Sequence, residues 1–118
     1  MAAPNLKSPT TITGKTARYA VGSGLATAIS GVPSGSVYKV NSIFCANVDG
    51  ANAADISVSI YNGATDFYLA KTISVPADAT QIISNKDTYF YLEEGDSIRA
   101  IASAANDLEL VIGYEAIS

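Results

Sequence analysis

With no histidine anywhere in 118 residues, any chemistry this chain performs must come from carboxylates, lysines or a thiol, since general acid–base work otherwise recruits imidazole. Glu93-Glu94-Gly95-Asp96 and the looser set Asp49, Asn52 and Asp55 offer oxygen ligands of the kind calcium takes. Neither has the alternating spacing of a calcium loop, so both read as solvated turns and no metal is assigned. Glu93 and Glu94 are adjacent, and neighbours in an extended chain point to opposite sides. They cannot jointly flank a glycosidic bond, which needs two facing carboxyls several ångströms apart. Gly14-Lys15-Thr16 copies the end of a phosphate-binding loop, but that motif needs a glycine where this chain has Pro9 and a helix directly after. Cys45 is the only cysteine, so no intramolecular disulfide forms, and without histidine no cysteine–histidine zinc site can be built. Its neighbours predict an ordinary buried thiol. The chain is therefore expected to be no enzyme, with no catalytic residue and no cofactor.

Contact chemistry remains. The chain has 7 tyrosines and no tryptophan, and exposed tyrosine is favoured at interfaces. Tyr61 and Tyr68 fall on the polar parity of their segments, as do Tyr89 and Tyr91 if Phe90 and Leu92 face the core. Either these form a tyrosine-bearing face for a partner or a sugar, or both faces are partly covered within the fold. At the amino terminus Pro4, Asn5, Leu6, Lys7 and Pro9 are further contact candidates. Two prolines and little apolar content make residues 1–9 an extended arm that docks on something.

Charge is sparse and unevenly placed. Asp, Glu, Lys and Arg make up 15% of the chain, against about 25% in ordinary soluble domains, which suits an exterior largely covered by neighbours. Every charge before Asp49 is positive: Lys7, Lys15, Arg18 and Lys39 give +4. The remainder, with 11 acids against Lys71, Lys86 and Arg99, gives −8. Either that attraction is satisfied inside one fold, or the basic amino-terminal segment of one copy lies on the acidic face of the next. Four scattered cations are too few for a nucleic-acid footprint. The opening MAAPNLKSPT lacks the apolar core of a secretory signal, and no apolar run is long enough to span a membrane. The expectation is assembly in a reducing cytoplasm, with no nucleic-acid and no membrane partner.

These residues must be positioned by strands. Short β-rich runs separated by turn signals recur throughout, and no segment keeps a helical period. Strands are expected over 10–21, 25–30, 37–47, a run centred on Ile56, Val58 and Ile60, then 67–75, 80–84, 89–92, 97–103 and 107–117. In 37–47 the apolar parity changes midway, which predicts a bulge or a strand buried on both faces. Asp49-Gly50 is expected to close a hairpin between that strand and the next. The run through Ile56 predicts one core face and one polar face carrying Ser57, Ser59 and Tyr61. In 67–75, Phe67, Leu69, Ile73 and Val75 share a face, and in the last strand Leu108, Leu110, Ile112 and Tyr114 point inward. About nine short antiparallel strands in 10–118 predict a single all-β domain, a β-sandwich of jelly-roll or Greek-key type, with a closed barrel as the alternative.

The segments ANAADISVSIYN (51–62), FYLAKTISVPA (67–77), YLEEGDSIRAIAS (91–103) and DLELVIGYEAIS (107–118) resemble a family of small, capsid decoration-like virion structural proteins of tailed bacteriophages, including marine and cyanobacterial ones. The opening MAAPN and TITGKT are similar too. The resemblance implies a virion component. The expected function is capsid decoration or cement, with the arm residues Ala2 to Thr10 laid on the shell or a sister subunit. The expected partners are the major capsid protein and further copies in a homotrimer. The alternative is a tail, neck or fibre-associated module, structural or carbohydrate-binding, using Tyr61, Tyr68, Tyr89 and Tyr91 as a platform.

Overall fold

The computed structural model describes residues 4–118; the first three residues of the expected arm lie outside them. Nine strands form among the described residues: β1 (Ile12–Val21), β2 (Ala26–Ile29), β3 (Val37–Asn47), β4 (Ala54–Tyr61), β5 (Asp66–Val75), β6 (Thr80–Ser84), β7 (Phe90–Leu92), β8 (Ser97–Ala102) and β9 (Leu108–Ile117). One 3₁₀ turn, Lys86–Thr88, is capped at its start by the Asn85 side chain. Every strand pair is antiparallel. One sheet runs β1-β9-β3-β6, with β7 also paired to β3; the other runs β2-β8-β4-β5. The expected sandwich of jelly-roll type is the architecture found.

Period-two alternation explains which residues fill the space between the sheets. Leu108, Leu110 and Ile112 of β9 are buried while Glu109 and Val111 between them are exposed. Ile56 and Val58 of β4 and Ile98 and Ala100 of β8 meet them from the opposite sheet in one continuous core. The parity change in β3 is a bulge: its register against β9 shifts between Val40 and Ser42, so Val40 and then Ile43 and Cys45 all face the core. Gly113 sits opposite, where a Cβ would lie 3.0 Å from the Ser42 hydroxyl, so any larger residue would oblige that side chain to move.

Two expectations fail, each for a non-local reason. The Asp49-Gly50 turn does not close a hairpin, because β3 and β4 belong to different sheets. The buried Asn47 holds this crossover: its amide donates to the carbonyls of Val75 (2.9 Å) and Asn52 (3.0 Å), and its oxygen accepts from the Asp49 N–H. β4 keeps its expected alternation, with Ile56 and Val58 toward the core and Ser57, Ser59 and Tyr61 on the other face, although the two serines are not open to solvent. It lies between β8 and β5, and Ser57 and Ser59 are buried beneath neighbouring side chains, with Ser57 Oγ accepting from Thr72 N–H. In β5 only Val75 of the four expected core residues is buried; Phe67, Leu69 and Ile73 are exposed. β5 is an edge strand whose register against β4 shifts twice, with Thr72 forced to a φ of +52°, a conformation rare for a β-branched residue.

Candidate interaction surfaces

The residues singled out for chemistry are used as structure. Lys15 and Thr16 lie inside strand β1, with no loop-to-helix junction to cradle phosphate. The Asp96 carboxylate accepts the Glu93 N–H at 3.0 Å, and Glu94 accepts the Gly35 N–H at 2.8 Å, tying two loops together. Asp49 accepts from the Ala51 N–H (2.8 Å) and from the Asn52 amide (3.4 Å), and these bonds hold its carboxyl below the usual range. Among the described residues no three carboxyl or thiol groups converge as a metal site would require. A depression of about 250 Å³ lined by Asp55, Ser57, Lys71 and Thr72 opens where β5 bulges, smaller than ordinary ligand pockets of roughly 300–1,000 Å³.

The four candidate tyrosines form two pairs on opposite outer faces rather than one platform. In the sheet of β4, β5 and β8, Asp66 accepts two hydrogen bonds from Arg99, at 3.0 and 2.6 Å, and one from the Ser59 hydroxyl at 2.8 Å. The Arg99 guanidinium lies 3.9 Å from the Tyr61 ring centre, and the Lys71 ammonium 4.2 Å from that of Tyr68. The Arg99 hydrogen bonds, helped by Ser59 and opposed by burial, hold the Asp66 carboxyl below its usual range. In the other sheet Tyr91 pairs with Lys39 across β7 and β3, Tyr89 meets Tyr91 edge-on, and the Lys39 ammonium sits 4.4 Å over Tyr89. Three of the four rings thus already carry a cation. The arm candidates Asn5, Leu6 and Lys7 are exposed, with Pro4 and Pro9 half-buried. This segment is not uniformly extended: Asn5 closes a turn, its side chain taking the Lys7 N–H and its carbonyl the Ser8 N–H.

Asp66–Arg99 is the only ion pair among the described residues, and both members come from the acidic second half. The four early cations therefore have no carboxylate partner within 4.0 Å there, so close pairs inside the fold do not satisfy the attraction between the halves.

One surface was not singled out in the sequence. On the outer face of the first sheet, Phe44 is the cross-strand neighbour of both Val111 and Ile82, making an apolar stripe over β9, β3 and β6. These three side chains are 37%, 40% and 51% exposed. The available signal was parity: once the bulge turns Ile43 and Cys45 inward, Phe44 must point outward.

Cys45 is buried, and desolvation pushes its thiol up from 9.0 to about 11. The unfolded chain releases this proton near pH 9 while the folded one keeps it, so the contribution is complete below pH 9 and is lost as pH rises toward 11. The expected loss is about 2–3 kcal/mol. Denaturant unfolding at pH 8 and 10.5 should show the decline, and Cys45→Val should decline less.

No protein-family model matches the sequence, and no curated protein matches it. Among solved structures, a chain of the acid-stable capsid of Helicobacter pylori bacteriophage KHP30 is similar over 94% of this chain and 90% of its own, at 14% identity and a TM-score of 0.55. A chain of the disulfide-linked pili that form Bacillus endospore appendages is similar over 89% of this chain and 85% of its own, at 15% identity and a TM-score of 0.53. At these identities the likeness is one of fold, a sandwich that occurs in a phage capsid and in an endospore appendage.

Proposed function

We propose that this chain is a virion structural protein of a tailed bacteriophage, a decoration or cement protein that lies on the outer shell and stabilises it by protein–protein contact, without catalysis. The observation that carries this reading is the Val111–Phe44–Ile82 stripe. The core is already closed between the sheets, so a contiguous apolar row outside it has no internal use and marks a surface meant to be covered. The sparse charge of the exterior agrees. So does the KHP30 likeness, which spans nearly all of both chains, so that a capsid holds a chain of this fold and of closely similar length. The partners are the shell protein and further copies, arranged as a closed trimer that lets a small domain cover a large area.

The pilus likeness favours a second reading less well. A disulfide-linked assembly needs reachable thiols, and the one cysteine here is buried in β3. The test is sedimentation of the purified chain with undecorated particles. Saturable pelleting is expected; a chain that stays in the supernatant at every concentration refutes the proposal.

A further inference from the structure

Two open sheets present four long sides, and folded proteins keep such edges from pairing with other chains by making them short, bulged or kinked, or by placing charges on them. Three of the four are guarded by their shape. β2 has 4 residues and slips against β8 after Thr27. β6 has 5 and slips against β3. β5 is long but carries two register shifts and the left-handed Thr72. β1 is neither short, bulged nor kinked, and its one guard is charge, Lys15 and Arg18, which deters like strands and admits an acidic one. All 10 of its residues pair with β9 in unbroken register, it contains no proline, and among the described residues no strand pairs with its other side.

The backbone groups facing outward follow from one observed pair. Thr11 and Ser118 exchange both hydrogen bonds, at 2.8 and 3.0 Å. In an antiparallel ladder such pairs alternate with pairs whose N–H and C=O groups point away. With the register unbroken, the odd positions of β1 bond to β9, and Ile12, Gly14, Thr16, Arg18 and Ala20 direct their backbone groups outward. All five are exposed.

Two cations flank this row. Lys15 and Arg18 are three positions apart, so they stand on opposite faces of the strand, and neither has an ion-pair partner among the described residues. A second copy is a poor occupant. Two β1 strands paired with each other would gather four cations into one ribbon, and facing like charges destabilise a sheet. We propose that β1 accepts an extended segment of a protein partner as an added strand, and that this segment carries two carboxylates three residues apart, one for Lys15 and one for Arg18. Main-chain bonds would supply affinity and the charges the register. The inference stands on the edge itself and holds whether or not the partner belongs to a shell.

The full chain should be titrated with the blocked peptide Thr-Val-Asp-Thr-Val-Glu-Thr-Val and with its counterpart bearing Lys at both acidic positions, while NMR follows backbone amide exchange. With the acidic peptide, the amides of Thr16, Arg18 and Ala20 should exchange roughly tenfold more slowly or better, and the lysine peptide should bind at least about tenfold more weakly. Thr16→Pro removes an outward donor but no bond to β9, a position where edge strands tolerate proline, and should abolish binding with the β9 spectrum retained. Arg18→Glu should narrow or reverse the preference between the peptides. Absence of binding at millimolar peptide, equal binding of both peptides, or shifts mapping elsewhere would overturn the proposal. Protection of the same amides that grows with protein concentration in the absence of peptide would overturn it in favour of self-pairing.

Discussion

Replacing Ile112 by alanine is expected to destabilise the fold by about 2–5 kcal/mol, whereas the same change at Val111 should cost no more than about 1 kcal/mol. The two residues are adjacent in β9, yet one is fully buried and the other is 40% exposed. Ile112 lies between Ala17 of β1 and Ile43 of β3 in the central strand of its sheet, and it faces the opposite sheet. Truncating it removes transferred apolar surface and leaves a cavity that close-packed strands on both sides cannot fill. Val111 stands on the outer face, where water takes the place of lost methyl groups. Urea unfolding of both variants measures the contrast, and comparable losses at the two positions would mean that the outer stripe is part of the folding core.

The second large effect concerns the stripe itself. Phe44→Glu should leave the thermal midpoint within a few degrees of the parent, because an exposed position contributes little to a fold of this size. In the particle-sedimentation assay the same variant should bind at least about tenfold more weakly, since a central aromatic anchor of an interface is commonly worth 2 kcal/mol or more. A buried carboxylate would add the penalty of an unpaired charge. Unchanged binding would move the contact surface off this face and onto the arm or the Arg99–Asp66 face.

The strands were legible because alternation and turn residues are local properties. The ranges of β3 and β6 were read to the residue, and those of β7, β8 and β9 to within one. Alternation also gave the inward set Leu108, Leu110 and Ile112. What it does not contain is which strand lies beside which. The Asp49-Gly50 segment does link β3 to β4, but as a bend that crosses between sheets, and the Asn47 amide that anchors it bonds 28 positions away, to Val75. Phe67, Leu69 and Ile73 have the composition of a buried face and are exposed because β5 falls at an edge. Parity set the four tyrosines on the outward side of their strands and left open whether a partner or the fold covers them; their division between two sheets follows from topology alone. The Asp66–Arg99 clamp, 33 positions apart, gave only the faint signal of a lone arginine on the outward parity of an apolar strand.

The central claim, that this chain is an inert two-sheet unit whose outer faces are covered in a virion, is tested most directly by counting it. If the proposal holds, quantitative mass spectrometry of purified virions that carry it should find on the order of hundreds of copies, as a lattice covering the shell requires. A few copies or a few dozen would contradict the account and place it at the neck or tail instead.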